Sequence, residues 1–235
     1  MSKKYQELKK TNASQILSII SKLIIQIENT YDDEYNLFDA KVEKDILDLR
    51  SLLKKISGNI IELKINTPWE FEDYSTEIDG KEILIKKDPN IKDYISIKDV
   101  YNFIPYIPFK TDLDIIKPFT KKTSLTNIEF LFMYDNNGYL SILEGELLKV
   151  KIPFIRVVFN MHTHPEGHCG FSVPDINSGL DLLSEGGLAT SVVTDTCAIV
   201  MHRQGLITEN DYIKIKSRKY ENEIFDSIKF MKIIY

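Results

Sequence analysis

With only two cysteines in 235 residues, Cys169 and Cys197, the chain carries no disulfide framework and no Cys-x-x-Cys pair. A structural zinc site of four cysteines is excluded. Also missing is any run near the roughly 18 consecutive apolar residues that a membrane span requires. The opening Met1-Ser2-Lys3-Lys4-Tyr5 has no long apolar core of the kind that directs secretion. A soluble, cytoplasmic protein without membrane contact is therefore expected. Positive charge is not in excess: 30 Lys and Arg against 35 Asp and Glu leave a formal net charge of −5, which argues against nucleic acid as the main partner. The basic run Lys214-Ile215-Lys216-Ser217-Arg218-Lys219 is short enough to be a solvated face. Internal repeats and low-complexity segments are absent as well. What remains, 43% hydrophobic and 28% charged, is ordinary globular composition, sufficient for one large domain or a catalytic domain with a smaller companion.

Hydrophobic spacing divides the chain. Ile16, Ile19, Ile20, Leu23, Ile24 and Ile27 form one stripe at helical intervals, which predicts a helix from about 4 to 30. Val42, Ile46, Leu49, Leu53 and Ile56 predict a second, from about 38 to 57, with Asn36 or Asp39 as its cap and Gly58 as its stop. Together they predict a helical hairpin that packs on the chain's own core or a second copy, or else docks another protein. From Asn59 to about Pro118 the pattern becomes short β-like runs, Ile60 to Ile65 and Glu82 to Ile85, around turns at Asp79-Gly80 and Asp88-Pro89-Asn90. Trp69 and the stretch from Tyr101 to Pro108 read as packing residues. Beyond residue 118 the pattern is α/β. Strands are expected at Phe130 to Tyr134, Tyr139 to Leu143, Ile155 to Asn160, Thr190 to Val193 and Ala198 to Met201, with the turn Asn136-Asn137-Gly138 between the first two. Ser172 fits an N-cap, with Pro174 and Asp175 in the first turn of a helix running to about Leu183. A closing helix is expected over 208 to 230. The domain reading is thus 1–118, a helical hairpin with a small α+β extension, and 119–235, a compact α/β unit.

Histidine is scarce too, and its distribution is the most informative feature of the chain. There are four, and His162, His164 and His168 fall within seven residues. In an extended segment alternate side chains share a face, so His162 and His164 point together and Thr163 points away. Pro165 and Gly167 then turn the chain, and Asp175 returns at a helix start. Two imidazoles and a carboxylate suit Zn²⁺ with a fourth position open for chemistry. A lone H-x-H is weak evidence, and a carboxylate at a helix start can simply complement the dipole. The coincidence of all parts is what favours a metal site.

The segment His162-Thr163-His164-Pro165 … Ser172-Val173-Pro174-Asp175 resembles the signature of the JAMM (MPN+) metalloproteases, H-[ST]-H-P followed by S-x-x-D, with a glutamate upstream. Cys169 and Asp175-Ile176-Asn177-Ser178 also resemble the corresponding stretch of the proteasome-lid deubiquitinase and the signalosome isopeptidase subunit. The RadC-like branch usually has His-Asn-His-Pro instead. The resemblance covers roughly residues 120 to 205. It implies an α/β fold of the JAMM/MPN (cytidine-deaminase-like) kind, a mixed sheet flanked by helices. It also implies His162, His164 and Asp175 as ligands of Zn²⁺, which lowers the pKa of a bound water to about 7. An upstream glutamate would take that water's proton and pass it to the leaving amine, and Ser172 would hydrogen-bond the oxyanion.

Glu129, at the start of a hydrophobic run, fits the description of the glutamate, although the glycine that commonly follows it in the family is absent. Glu144 and Glu146 are the alternatives. His168 reads as a loop residue or a substrate contact, His202 as structural, and Cys169 as a small loop residue. The expected function is a zinc isopeptidase acting on ubiquitin-like protein conjugates. The rivals are a non-catalytic MPN scaffold, which typically loses the ligands retained here, and a RadC-like role. A barrel amidohydrolase would need a longer chain and further histidines.

Overall fold

The strongest apolar stripe of the sequence becomes the most deeply buried helix. In the computed structural model, which describes residues 6–145, 156–165, 169–217 and 225–235, helix α1 spans Asn12–Thr30. Ile16, Leu17, Ile19, Ile20, Leu23, Ile24 and Ile27 are all fully buried. Its serines are buried as well: Ser14 Oγ donates to the Gly138 carbonyl at 2.7 Å and Ser18 Oγ to that of Asn136 at 2.5 Å. The helix starts later than its periodicity suggests, because Thr11 caps it in a reciprocal capping box with Ser14. Residues Gln6–Lys9 form strand β1 instead, which pairs with Leu140 to Leu143.

The second expected helix, and with it the helical hairpin, does not form as such. Leu37–Asp39 is a 3-10 turn capped by Asn36, Lys41–Glu43 is strand β2, and Lys44–Leu47 is another 3-10 turn. Only Leu49–Ile56 is α-helical (α2), capped by Asp48. Spacings of four and three residues suit a helix, but Val42 gains ladder partners on both sides, Ile65 and Ile95, and tertiary pairing prevails over the local period. Gly58 does follow the helix end.

Strands β3 (Ile60–Asn66), β4 (Tyr74–Ile78), β5 (Lys81–Lys87) and β6 (Tyr94–Ser96) join β2 in a five-stranded sheet of order β4-β5-β3-β2-β6. Asp79 and Gly80 take φ of 52° and 74°, the left-handed pair that a two-residue hairpin demands. Ile61, Leu63, Ile65, Ile83 and Ile85 alternate inward. Trp69 packs edge-on against Tyr31, with ring centroids 5.4 Å apart. The Tyr101 to Pro108 stretch lies in α3 (Ile97–Phe103), a 3-10 turn and α4 (Ile107–Thr111). Residue 118 falls inside α5 (Leu113–Thr126).

The second sheet has seven strands in the order β1-β8-β7-β9-β10-β11-β12. They are β7 (Phe130–Asp135), β8 (Leu140–Glu144), β9 (Val157–Thr163), β10 (Ala189–Val193), β11 (Cys197–Arg203) and β12 (Ile228–Ile234). The closing helix expected over 208 to 230 is corrected: α7 covers only Glu209–Lys216, and β12 pairs along the whole of β11. Strands β9 and β10 are parallel, joined through α6 (Val173–Ser184), and the other neighbours are antiparallel. The protein is thus mixed α/β with two mixed sheets.

One face of the seven-stranded sheet, carrying Phe130, Phe132, Phe159, Met161, Val193 and Val200, shares a continuous core with α1 and the five-stranded sheet. The opposite face packs Met201 beneath Ile176, Leu180 and Leu183 of α6 and Ile215 of α7. Gly179 allows this close approach: a Cβ there would lie 2.4 Å from Met201 Cε and 2.6 Å from Thr190 Cγ2. Among the described residues no helix is long and apolar enough to cross a membrane.

Polar groups knit the core. Glu28 of α1 accepts from both Arg203 of β11 and the Tyr101 hydroxyl of α3. The neighbouring His202, fully buried, sets its Nδ1 3.1 Å from the Arg203 carbonyl. Burial holds its imidazole down at about 4 from an ordinary 6.5. The unfolded chain therefore takes up this proton first as the pH falls. The stabilisation is complete above pH 6.5 and is lost progressively towards about pH 4, on the order of 3 kcal/mol. Urea midpoints at pH 7 and pH 4.5 should diverge more in the wild type than in His202→Asn; equal divergence would contradict this account.

Candidate metal centre

Strand alternation and register decide which groups meet. His162 stands opposite Leu131 of β7 and Val192 of β10, on the face covered by α6. His164, just past the strand, is kept in line by its amide, which donates to the Val193 carbonyl at 2.9 Å. Both imidazoles thus lie at the carboxyl end of a parallel strand, where open α/β sheets place their ligand sites. Asp175 reaches them from the third position of α6. There its carboxylate accepts from the Ser172 amide at 2.7 Å while its own amide donates to Ser172 Oγ at 3.4 Å. The capping role expected of Ser172 is present, and its side chain lies beside Asp175 in an exposed position.

Three ligating groups converge. His162 Nε2 and His164 Nε2 are 3.0 Å apart, His162 Nε2 is 3.2 Å from Asp175 Oδ1, and His164 Nε2 is 3.6 Å from Asp175 Oδ2. Nitrogen and oxygen ligands held about 2.0–2.2 Å from a tetrahedral ion stand roughly 3.3–3.6 Å from one another. The spacing fits a small divalent metal ion, and the donor set of two imidazoles and one carboxylate fits zinc. Burial disfavours the charged form of Asp175. The hydrogen bond and charge of His162, with the bonds from Ser172, outweigh it and hold the carboxyl well below its ordinary range. A carboxylate must be ionised to ligate a metal.

Glu129 lies immediately before β7, on the same face as Leu131 and His162. Its carboxylate is 3.9 Å from His164 Nε2 and half exposed. Glu144 sits opposite Phe130, hence on the other face of the sheet, and pairs with Lys122 at 3.6 Å. Glu146 and His168 lie outside the described residues. His202 is on β11, buried in the core, as its structural reading requires.

The expectation of Cys169 as a small loop residue in a chain without a disulfide framework is corrected by the structure. Cys169, between the histidines and Ser172, is disulfide-bonded to Cys197 at the start of β11, with Cα atoms 6.3 Å apart. Twenty-eight residues separate them, and no spacing motif signals the pairing. The bond ties the loop that leads into α6 to the hairpin whose Val193 holds His164.

A scan against protein-family models, a search of curated proteins and a search of solved structures each return no match for this chain.

Dialysed protein incubated with Zn²⁺ should retain one ion per chain. His162→Ala, His164→Ala and Asp175→Asn should each weaken binding by more than about 100-fold, beyond the cost of outer-shell changes. Metal analysis with chelator competition checks this, and a wild type that retains no zinc would remove the site.

Proposed function

We propose that this chain is a zinc metallopeptidase of the JAMM (MPN+) type, with the cytidine-deaminase-like arrangement that name implies. It acts as an isopeptidase that releases ubiquitin-like modifiers from lysine side chains. The observation that carries the reading is the convergence of His162, His164 and Asp175 at metal-ligand spacing, with the Glu129 carboxylate 3.9 Å from His164. A non-catalytic scaffold has no need of that set.

His162, His164 and Asp175 would hold the Zn²⁺, which when bound would supply Lewis acidity and a water acidic enough to be deprotonated near neutral pH. Glu129 takes the proton of the attacking water and returns it to the lysine amine as the isopeptide C–N bond breaks, so that the carboxylate is regenerated. Ser172 donates its hydroxyl to the oxygen of the scissile carbonyl as negative charge develops on it. Asp175 is held ionised and in register by the first turn of α6, where the positive end of the helix dipole favours a carboxylate. The exposure of Glu129 and Ser172 suits a protein-sized substrate presenting an extended tail rather than a small molecule enclosed in a cavity.

Purified protein incubated with ubiquitin-like protein conjugates should release the modifier in the presence of zinc and cease to do so with a chelator. Glu129→Gln should keep its zinc yet lose cleavage by at least about 100-fold, the usual contribution of a general base. Quantifying zinc and released modifier in parallel decides the matter, and undiminished turnover in the variant would deny Glu129 its role.

A further inference from the structure

Between the two histidines lies a residue that the metal does not use. Thr163 is fully buried on the opposite face of β9. Its Oγ1 accepts from the Phe130 amide at 2.8 Å and lies 2.6 Å from Thr123 Oγ1 of α5. Thr123 Oγ1 in turn donates to the Ile128 carbonyl at 2.8 Å. Each hydroxyl has one proton, so the donor directions follow. Thr123 spends its proton on Ile128, and Thr163 must therefore donate to Thr123. The result is a one-way chain from the Phe130 N–H through Thr163 and Thr123 to the Ile128 C=O. Hydrogen bonds aligned in this way polarise and strengthen one another in a buried setting. The chain leaves the backbone at residue 130 and returns to it at 128. It grips the two peptide groups on either side of Glu129, whose own carbonyl is taken by the Gly145 amide at 2.8 Å.

We infer that Thr163 is a positioning residue, whose hydroxyl, relayed through Thr123, sets the backbone of Glu129 and aims its carboxylate at the His162–His164 pair. The inference rests on the reading of Glu129 as the base given above. It assigns a purpose to the residue between the histidines: the strand that carries two metal ligands on one face also locates the base from the other. The Glu129 side chain is half exposed, and its backbone, fixed on both sides, sets the direction in which it leaves the chain.

The test compares wild type, Thr163→Val, Thr163→Ser and Glu129→Gln. The readouts are zinc affinity by chelator competition, thermal unfolding, amide exchange at Phe130, and the visible spectrum of the Co²⁺-loaded protein, which responds to the charge beside the ion. Thr163→Val should bind zinc like the wild type and exchange the Phe130 amide about tenfold faster, the equivalent of one lost hydrogen bond. Its Co²⁺ spectrum should depart from the wild type in the same direction as that of Glu129→Gln. Thr163→Ser, which restores the hydroxyl, should retain the wild-type spectrum. If Thr163→Val fails to fold, Thr123→Val breaks the same chain one link further on and takes its place. A folded valine variant with an unchanged spectrum, beside an altered Glu129→Gln, would overturn the positioning role alone. An unaltered Glu129→Gln spectrum in a metal-loaded protein would overturn both this role and that of Glu129 while leaving the metal site intact. Failure of the wild type to bind either ion would instead remove the function proposed above, and this inference with it.

Discussion

Every part of the candidate site depends on the pairing of one strand. β9 lies between β7 and β10, so its backbone groups are taken up by ladders on both sides and its side chains have only two directions open to them. A slip of one residue would exchange the faces, burying the imidazoles of His162 and His164 in the aromatic core and turning Met161 and Thr163 towards α6. The antiparallel register with β7 brings the chain at Glu129 alongside the end of β9. The parallel register with β10 provides the carbonyl that extends the ladder to His164.

The sheet separates two kinds of environment. On one side lies the large apolar core, where Phe130, Phe132, Phe159 and Met161 meet α1 and the N-terminal sheet. On the other, a smaller cluster packs under α6, and His162 and His164 lie on this side at the carboxyl end of β9. Gly179 brings α6 down onto Met201 and Thr190, and this closeness, one turn after Asp175, sets where the carboxylate arrives. Helix α1 is buried on both its apolar and its serine-lined sides. With Glu28 it reaches Arg203 and Tyr101, so the N-terminal region and the sheet that carries the site share one packed interior. A buried ion pair of this kind contributes little net stability, but losing either partner would leave an uncompensated charge.

Much of this was readable along the chain because it is local. The H-x-H alternation, the Ser172 cap with its reciprocal partner three residues on, and the Asp79-Gly80 turn depend on neighbours in sequence. So do the β-branched runs of β3, β5, β9 and β10. The misreadings share one cause. The apolar spacing around Val42 to Ile56 fits a helix, yet Val42 found strand partners in Ile65 and Ile95. Residues 6–9 continue the first helical pattern but lie on the edge of a sheet built from residues more than a hundred positions away. Ile228 to Ile234 close that sheet, although the helix expected over 208 to 230 would have ended inside this segment. In each case non-local hydrogen bonding outweighed a local preference, and no window of a dozen residues contains that information.

Two imidazoles at alternate positions and an aspartate in a capped first turn follow from local backbone geometry, so the group His162, His164 and Asp175 that could hold a metal ion was legible in the sequence. The sequence by itself also determined that one strand must present histidines on one face and a threonine on the other. Only the tertiary structure decided that Glu129 rather than Glu144 lies beside the histidines, because that choice depends on which sheet face each occupies after strand pairing. It alone joined Cys169 to Cys197, and it alone closed the hydroxyl chain from Phe130 through Thr163 and Thr123 to Ile128. The physical reason is common to all three: contacts between distant segments are set by register, and register is a property of the assembled sheet.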